Sequence, residues 1–289
     1  MDGLVPCTFT LLRSVCMAAK DRIIVAVDVD TPEKAISIVE ELRNQVGCFK
    51  IGLEFIYAMI EQLISPPEEG AIEKLRKIRY LFDLLKGRLF WDGKIHDIPN
   101  TASGVSKVIA RLRPKMFNVH CSGGRAMMTA AKKSVEEILG QDHQSLVLGV
   151  TLLTSLTYDD LVELGIKKPI NFADPEELKD AQNEEIFDFV VRHLAWLAQE
   201  CSLDGVIASP QEIIGIREYC QPEFLVATPG VRPLWAAVGD QKRIMTPAEA
   251  IKAGVNYLVI GRPITKPPAE IGTSVKAAER IAEEIDSVL

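Results

Sequence analysis

The sequence predicts a single (β/α)8 TIM barrel, on three observations. Eight short β-rich runs alternate with longer helical stretches along the chain. Several of those runs are continuously apolar rather than alternating, as in parallel strands covered on both faces. The 289 residues suit a barrel, which typically needs about 250. A doubly wound open sheet is the competing architecture. No GxGxxG follows the first apolar run, which disfavours its dinucleotide-binding form.

The elements follow in order. Residues 23–27 (IIVAV) form the first strand. Thr31 then offers an N-cap with Pro32 at the first helical position, and the helix is expected to reach about Gln45. Cys48–Ile51 is the second strand, followed by helical pattern to Lys86 with a Pro-Pro break at 65–70. Leu89–Trp91 leads the third strand, and Met116–His120 is the fourth, with Gly123 and Gly124 opening a helix. Leu146–Thr151 is the fifth and Gly205–Ala208 the sixth, the latter followed by Ser209 and Pro210 as a helix start. Phe224–Thr228 and Tyr257–Ile260 are the seventh and eighth, and a helix closes the chain. The longest connection, about 155–203, holds two helical pieces, the second expected to begin at Asp174-Pro175. Thr246-Pro247-Ala248-Glu249 reads as a capping box. Residues 1–20 are expected to be an N-terminal extension outside the barrel, which takes up 21–289, and Met17 reads like a start.

Composition narrows the function. Hydrophobic residues make up 47% and charged residues 25%, which excludes disorder and collagen-like repetition. No apolar run reaches the roughly 18 residues of a membrane-spanning helix. With 33 basic against 40 acidic residues the net charge is −7, and no basic tract marks a nucleic-acid or membrane surface. Six cysteines without a CxxC pair read as reduced thiols of a cytoplasmic protein. The four histidines lack metal-ligand spacing, so no metal is expected.

In such a barrel, active residues collect at the C-terminal ends of the strands. The densest constellation there is 91–97 (WDGKIHD). Asp92 and Lys94 are two apart and share a strand face, Asp97 follows in the loop, and Lys50 ends the neighbouring strand. Carboxylates beside an ammonium keep it protonated, which suits a proton donor and not a Schiff-base nucleophile. The competing reading is a solvated Asp-Lys pair on an edge strand, but third place among eight parallel strands argues against an edge. Gly261-Arg262 ends the eighth strand, where barrels often bind phosphate, and an arginine can hold phosphate in bidentate fashion. Residues 228–232 (TPGVR) turn sharply off the seventh strand into a stretch reaching Gln241 that suits a lid. His96, His120, Cys121, Met127 and Met128 read as structural residues.

These residues together resemble the orotidine 5′-phosphate decarboxylase family. The stretch 92–101 (DGKIHDIPNT) is similar to its DxKxxDIPNT signature. Further matches follow in order: AVD at 26–28, FKIG at 49–52, NVHCSGG at 118–124, VTLLTS at 150–155, DGVIAS at 204–209, TPGVR at 228–232, DQKR at 240–243 and VIGRPIT at 259–265. The resemblance covers about residues 22–280 and departs at 1–20 and near 160–190. It implies conversion of orotidine 5′-monophosphate to UMP and carbon dioxide without metal or organic cofactor. It also implies a set of roles. Lys94 protonates C6, Asp92 lies against the substrate carboxylate, and Lys50 and Asp97 complete an alternating charge array. Asp97, Ile98 and Thr101 reach the partner's site in a homodimer. Asp28 and Lys50 contact the ribose, Thr154 binds the pyrimidine with Leu153 beside it, and Pro229 packs near the base. Arg232, Gln241, Gly261 and Arg262 surround the phosphate or close the lid over it. The alternatives are a magnesium-dependent phosphosugar lyase with a similar DxKxxD strand, and a non-catalytic nucleotide-binding barrel. The Ile98-Pro99-Asn100-Thr101 continuation favours the orotidine branch, and the intact charged positions disfavour a degenerate barrel.

Overall fold

A computed structural model describes residues 17–64, 70–166, 181–236 and 245–289. Its strands are β1 (Ile23–Ala26), β2 (Cys48–Gly52), β3 (Leu89–Ile95), β4 (Met116–His120), β5 (Leu146–Val150), β6 (Gly205–Ile207), β7 (Leu225–Pro229) and β8 (Tyr257–Ile260). All neighbours pair in parallel, and β1 pairs with β8 to close the barrel in sequence order. The expected closed barrel is thus the observed one, and the open sheet is excluded.

The helices are α1 (Pro32–Leu42), α2 (Leu53–Ile64), α3 (Ala71–Leu84), α4 (Pro99–Arg111), α5 (Gly124–Leu139), α6 (Tyr158–Glu163), α7 (Ala181–Glu200), α8 (Ile213–Tyr219), α9 (Pro247–Lys252), α10 (Arg262–Thr265) and α11 (Ser274–Asp286). Thr31 caps α1 by accepting the Lys34 N–H, with Pro32 in the first turn. This satisfies an N–H that has no partner within the helix. The Thr246 capping box at α9 is formed from both sides. Helix α1 stops at Leu42, earlier than expected. The Asp174-Pro175 start lies outside the described residues, and so do residues 1–16.

Strand periodicity sorts the side chains into two apolar bodies. Ile24, Cys48, Phe90, Met116, Leu148, Leu225 and Tyr257, with Ala26, Ala227 and Val259 above them, fill the barrel interior. Their sequence neighbours Ile23, Val25, Phe49, Phe117, Val147, Val226 and Leu258 pack outward into the larger helix-facing core. Both faces of each strand are covered, which is why the runs are continuously apolar. At the lower end Met17 packs against the interior cluster and Ala19 is buried. Met17 and Ala19 thus reach the barrel at that end, while Ala18 and Lys20 stay exposed.

Counting upward by twos from the interior residues reaches Asp28 after β1, Lys50 on β2, Asp92 on β3 and Asn118 on β4. The interior changes from apolar to charged at that level. The wall below tolerates no added bulk. A Cβ at Gly205 would overlap the carbonyl oxygen of Leu225 on the adjacent strand. Gly205→Ala is expected to destabilise the barrel by about 2 kcal/mol or more, read as a lower denaturation midpoint. An unchanged midpoint would show that β6 and β7 can separate without cost.

Candidate active site

β3 carries Asp92 and Lys94 within it, as expected, and ends before Asp97. It continues to Ile95 because its pairing with β4 is interrupted between Trp91 and Ile95 and then resumes. Lys94 sits in that irregularity with φ 44°, in the left-handed region. A non-glycine residue adopts this conformation at a cost, and such positions concentrate at functional sites.

Four charged side chains form a chain across the barrel mouth. Lys50 Nζ lies 3.0 Å from Asp28 Oδ1 and 3.1 Å from Asp92 Oδ2. Lys94 Nζ donates to Asp92 Oδ1 at 2.7 Å. The order is Asp28–Lys50–Asp92–Lys94, alternating in sign. Side-chain exposure is 56% for Asp28, 13% for Lys50, 7% for Asp92 and 32% for Lys94, so the array is buried at its centre and open at both ends. Gly52 leaves room for it, because a Cβ there would come 3.1 Å from Lys50 Nζ.

Electrostatics hold the centre ionised. Burial opposes the charge on Lys50, but attraction to Asp92 and Asp28 outweighs it and raises its pKa. Burial likewise opposes the charge on Asp92. Lys50 and Lys94 outweigh it, helped by hydrogen bonds from Lys94 and Asn118, and the carboxyl falls below its ordinary range. His120, half-buried, is lowered by burial and by His96 and Lys94 nearby. Its ring packs against His96 with centroids 5.2 Å apart.

The other expected residues divide into three groups. Pro229, Arg232, Gly261 and Arg262 line one cleft with Asp28 and Lys50, next to the array. Arg232 is buried, and its backbone N–H donates to the Met245 carbonyl, joining the two sides of the segment expected to be a lid. Gln241 lies outside the described residues, as do 237–244 generally. Leu153 and Thr154 are exposed on the loop after β5. Asp97, Ile98 and Thr101 are exposed at the start of α4, and Asp97 Oδ1 accepts the Ile98 N–H. Within one chain the side chain of Asp97 turns to its own backbone, bonding the Ile98 N–H and not the array.

Sequence reasoning assigned no role to Asn118. Its amide Nδ2 donates to Asp92 Oδ1 at 2.6 Å, and its Oδ1 accepts the Lys94 backbone N–H at 2.7 Å. The signal was present as a lone amide in the apolar strand MFNVH, on the parity that faces the barrel interior.

A closed parallel barrel with a charge array at its C-terminal rim, beside an arginine-lined cleft, defines an enzyme of the (β/α)8 class suited to phosphorylated substrates. The chain belongs to the Orotidine 5′-phosphate decarboxylase / HUMPS family, whose model matches residues 21–279. It is 42% identical to orotidine 5′-phosphate decarboxylase of Trichlorobacter lovleyi, over 92% of this chain and 96% of the relative. The same enzyme of Moorella thermoacetica is 41% identical over 98% of this chain and 99% of its own. Among solved structures, orotidine 5′-phosphate decarboxylase from Lactobacillus acidophilus superimposes with TM-score 0.66 at 29% identity, covering 91% of this chain and 98% of that one.

The array also sets a stability expectation. Lys50→Met leaves Asp92 buried with a single ammonium, and the expected cost is about 3 kcal/mol. Asp92 is lowered, so its contribution is present above about pH 4 and is lost as pH falls through its folded value. Lys50 is raised, so its contribution is present below about pH 10 and is lost as pH rises through its folded value. The stability gap between wild type and Asp92→Asn should stay level from about pH 5 to 9 and narrow in acid. Denaturant titration across pH checks this, and a gap that widens in acid would contradict it.

Proposed function

We propose that this chain decarboxylates orotidine 5′-monophosphate to UMP and carbon dioxide, a step in pyrimidine nucleotide synthesis. The observation that carries the reading is the Asp28–Lys50–Asp92–Lys94 array at the barrel mouth. The identity to decarboxylases over nearly the whole chain supports it.

The chemistry follows from the array. The C6–carboxylate bond breaks, carbon dioxide leaves, and the electron pair stays on C6 in the plane of the ring. The ring π-system cannot delocalise that pair. Lys94 Nζ stabilises the developing charge and transfers its proton to C6, then recovers a proton from solvent. This favours the transition state over the bound substrate, because the charge at C6 appears only as the bond breaks. Asp92 lies against the departing carboxylate and holds Lys94 in place. Lys50 fixes Asp92 from the other side and, with Asp28, contacts the ribose. Arg232, Gly261, Arg262 and Gln241 bind the phosphate, far from the reacting carbon, and their binding energy positions the base. Leu153, Thr154 and Pro229 enclose the pyrimidine.

Asp97, Ile98 and Thr101 complete the site of a partner subunit, so the working form is a homodimer. Their exposure in the single chain supports this reading. The enzyme acts on a small molecule in the cytoplasm and engages neither nucleic acid nor membrane. No helix among the described residues is long and apolar enough to cross a membrane.

The test is loss of orotidine 5′-monophosphate absorbance in purified protein with excess EDTA. UMP formation is expected at an undiminished rate. Turnover only after magnesium is restored would favour the phosphosugar-lyase alternative, and nucleotide binding without turnover the non-catalytic barrel. Lys94→Ala is expected to lower kcat by several orders of magnitude while the circular dichroism spectrum stays unchanged. Near-normal turnover in that folded variant would refute the role given to Lys94.

A further inference from the structure

We infer that Asn118 is a positioning residue for the decarboxylation, clamping Lys94 and Asp92 into one geometry; this deepens the proposed function and rests on it. Asn118 is fully buried on β4. Its side chain bridges two atoms of β3 that ordinary strand pairing leaves unserved. One is the Lys94 N–H, which falls inside the interrupted stretch between Trp91 and Ile95 and donates to Asn118 Oδ1 at 2.7 Å. The other is Asp92 Oδ1, which accepts Asn118 Nδ2 at 2.6 Å.

The two bonds fix the amide's orientation without ambiguity. The oxygen must face the N–H and the nitrogen must face the carboxylate, since the reverse would set donor against donor and acceptor against acceptor. The clamp has a consequence for the reacting group. Lys94 holds φ 44°, and without an acceptor at its N–H nothing repays that conformation. A return to ordinary strand geometry would move the backbone from which its side chain reaches Asp92. Asp92 Oδ1 also carries Lys94 Nζ at 2.7 Å, so Asn118 and Lys94 meet on one oxygen while Lys50 takes Oδ2 at 3.1 Å. Asn118 therefore sets both the backbone and the side-chain anchor of the proton donor. It does not itself line the cleft beside Arg232 and Arg262.

The test uses Asn118→Ala, which removes both bonds, and the isosteric Asn118→Asp, which keeps an acceptor for Lys94 and loses the donor to Asp92. Wild type and variants are compared for kcat, KM, and affinity for two ligands. UMP has no charge at C6, whereas a UMP analogue with an oxyanion at C6 imitates the developing charge. For both variants kcat should fall at least 30-fold with KM within about threefold, by analogy with removal of a donor that acts in the transition state. Affinity for the oxyanion analogue should fall by a similar factor, and UMP affinity should stay within about threefold. A merely structural residue would weaken both ligands alike, and that result would overturn the inference. So would a folded variant with kcat within threefold of wild type, or failure of both variants to fold. Absence of turnover in the wild type would instead strike the proposed function itself, and the inference with it.

Discussion

Asp92 is a carboxylate held almost out of water at the top of a packed barrel, and its ionisation depends on three strands at once. Removing such a group from solvent costs several kcal/mol unless partners replace its hydration. Lys50 on β2 takes one oxygen, and Lys94 on β3 with Asn118 on β4 takes the other. Lys94 is a near neighbour in sequence, but Lys50 and Asn118 come from other strands. The register of β2 against β3, with Gly52 opposite Asp92, and the irregular pairing of β3 with β4 bring them together. The parallel closure of the barrel is thus the precondition of the charge array.

The same arrangement links stability to reactivity. Beneath the array the barrel is filled by Ile24, Cys48, Phe90, Met116 and Leu148, which exclude water from its lower side. Charges meeting above an apolar floor interact more strongly than they would in water. That environment keeps Lys50 protonated and Asp92 ionised together. It also presents Lys94, the more exposed ammonium of the two, toward the open mouth. A left-handed lysine is an expensive way to end a strand. It persists here because the N–H that it frees is taken up by Asn118.

Local chemistry was legible wherever it acts over a few residues. Thr31 with Pro32, and Thr246 with Glu249, announced helix starts that the structure contains. The shared face of Asp92 and Lys94 was read from a spacing of two. Asp, Gly and Lys are poor strand formers, and the renewed pairing of Ile95 with Val119 carries β3 past them. Asn118 carried no motif of its own. An amide's role depends on which groups face it, and those lie 24 and 26 residues away.

The order of residues was therefore enough for the barrel, for the family to which the chain belongs, and for the charged positions of its signature. Each rests on periodicity or on short spacings, which the backbone translates directly into faces and ends. Only the folded chain decided that Met17 packs against the interior cluster, that Lys94 turns left-handed, and that Asn118 joins Asp92 to it. It also decided that Asp97, Ile98 and Thr101 are exposed in the single chain. These outcomes depend on contacts between segments distant in sequence, where burial and pairing across strands outweigh any local preference.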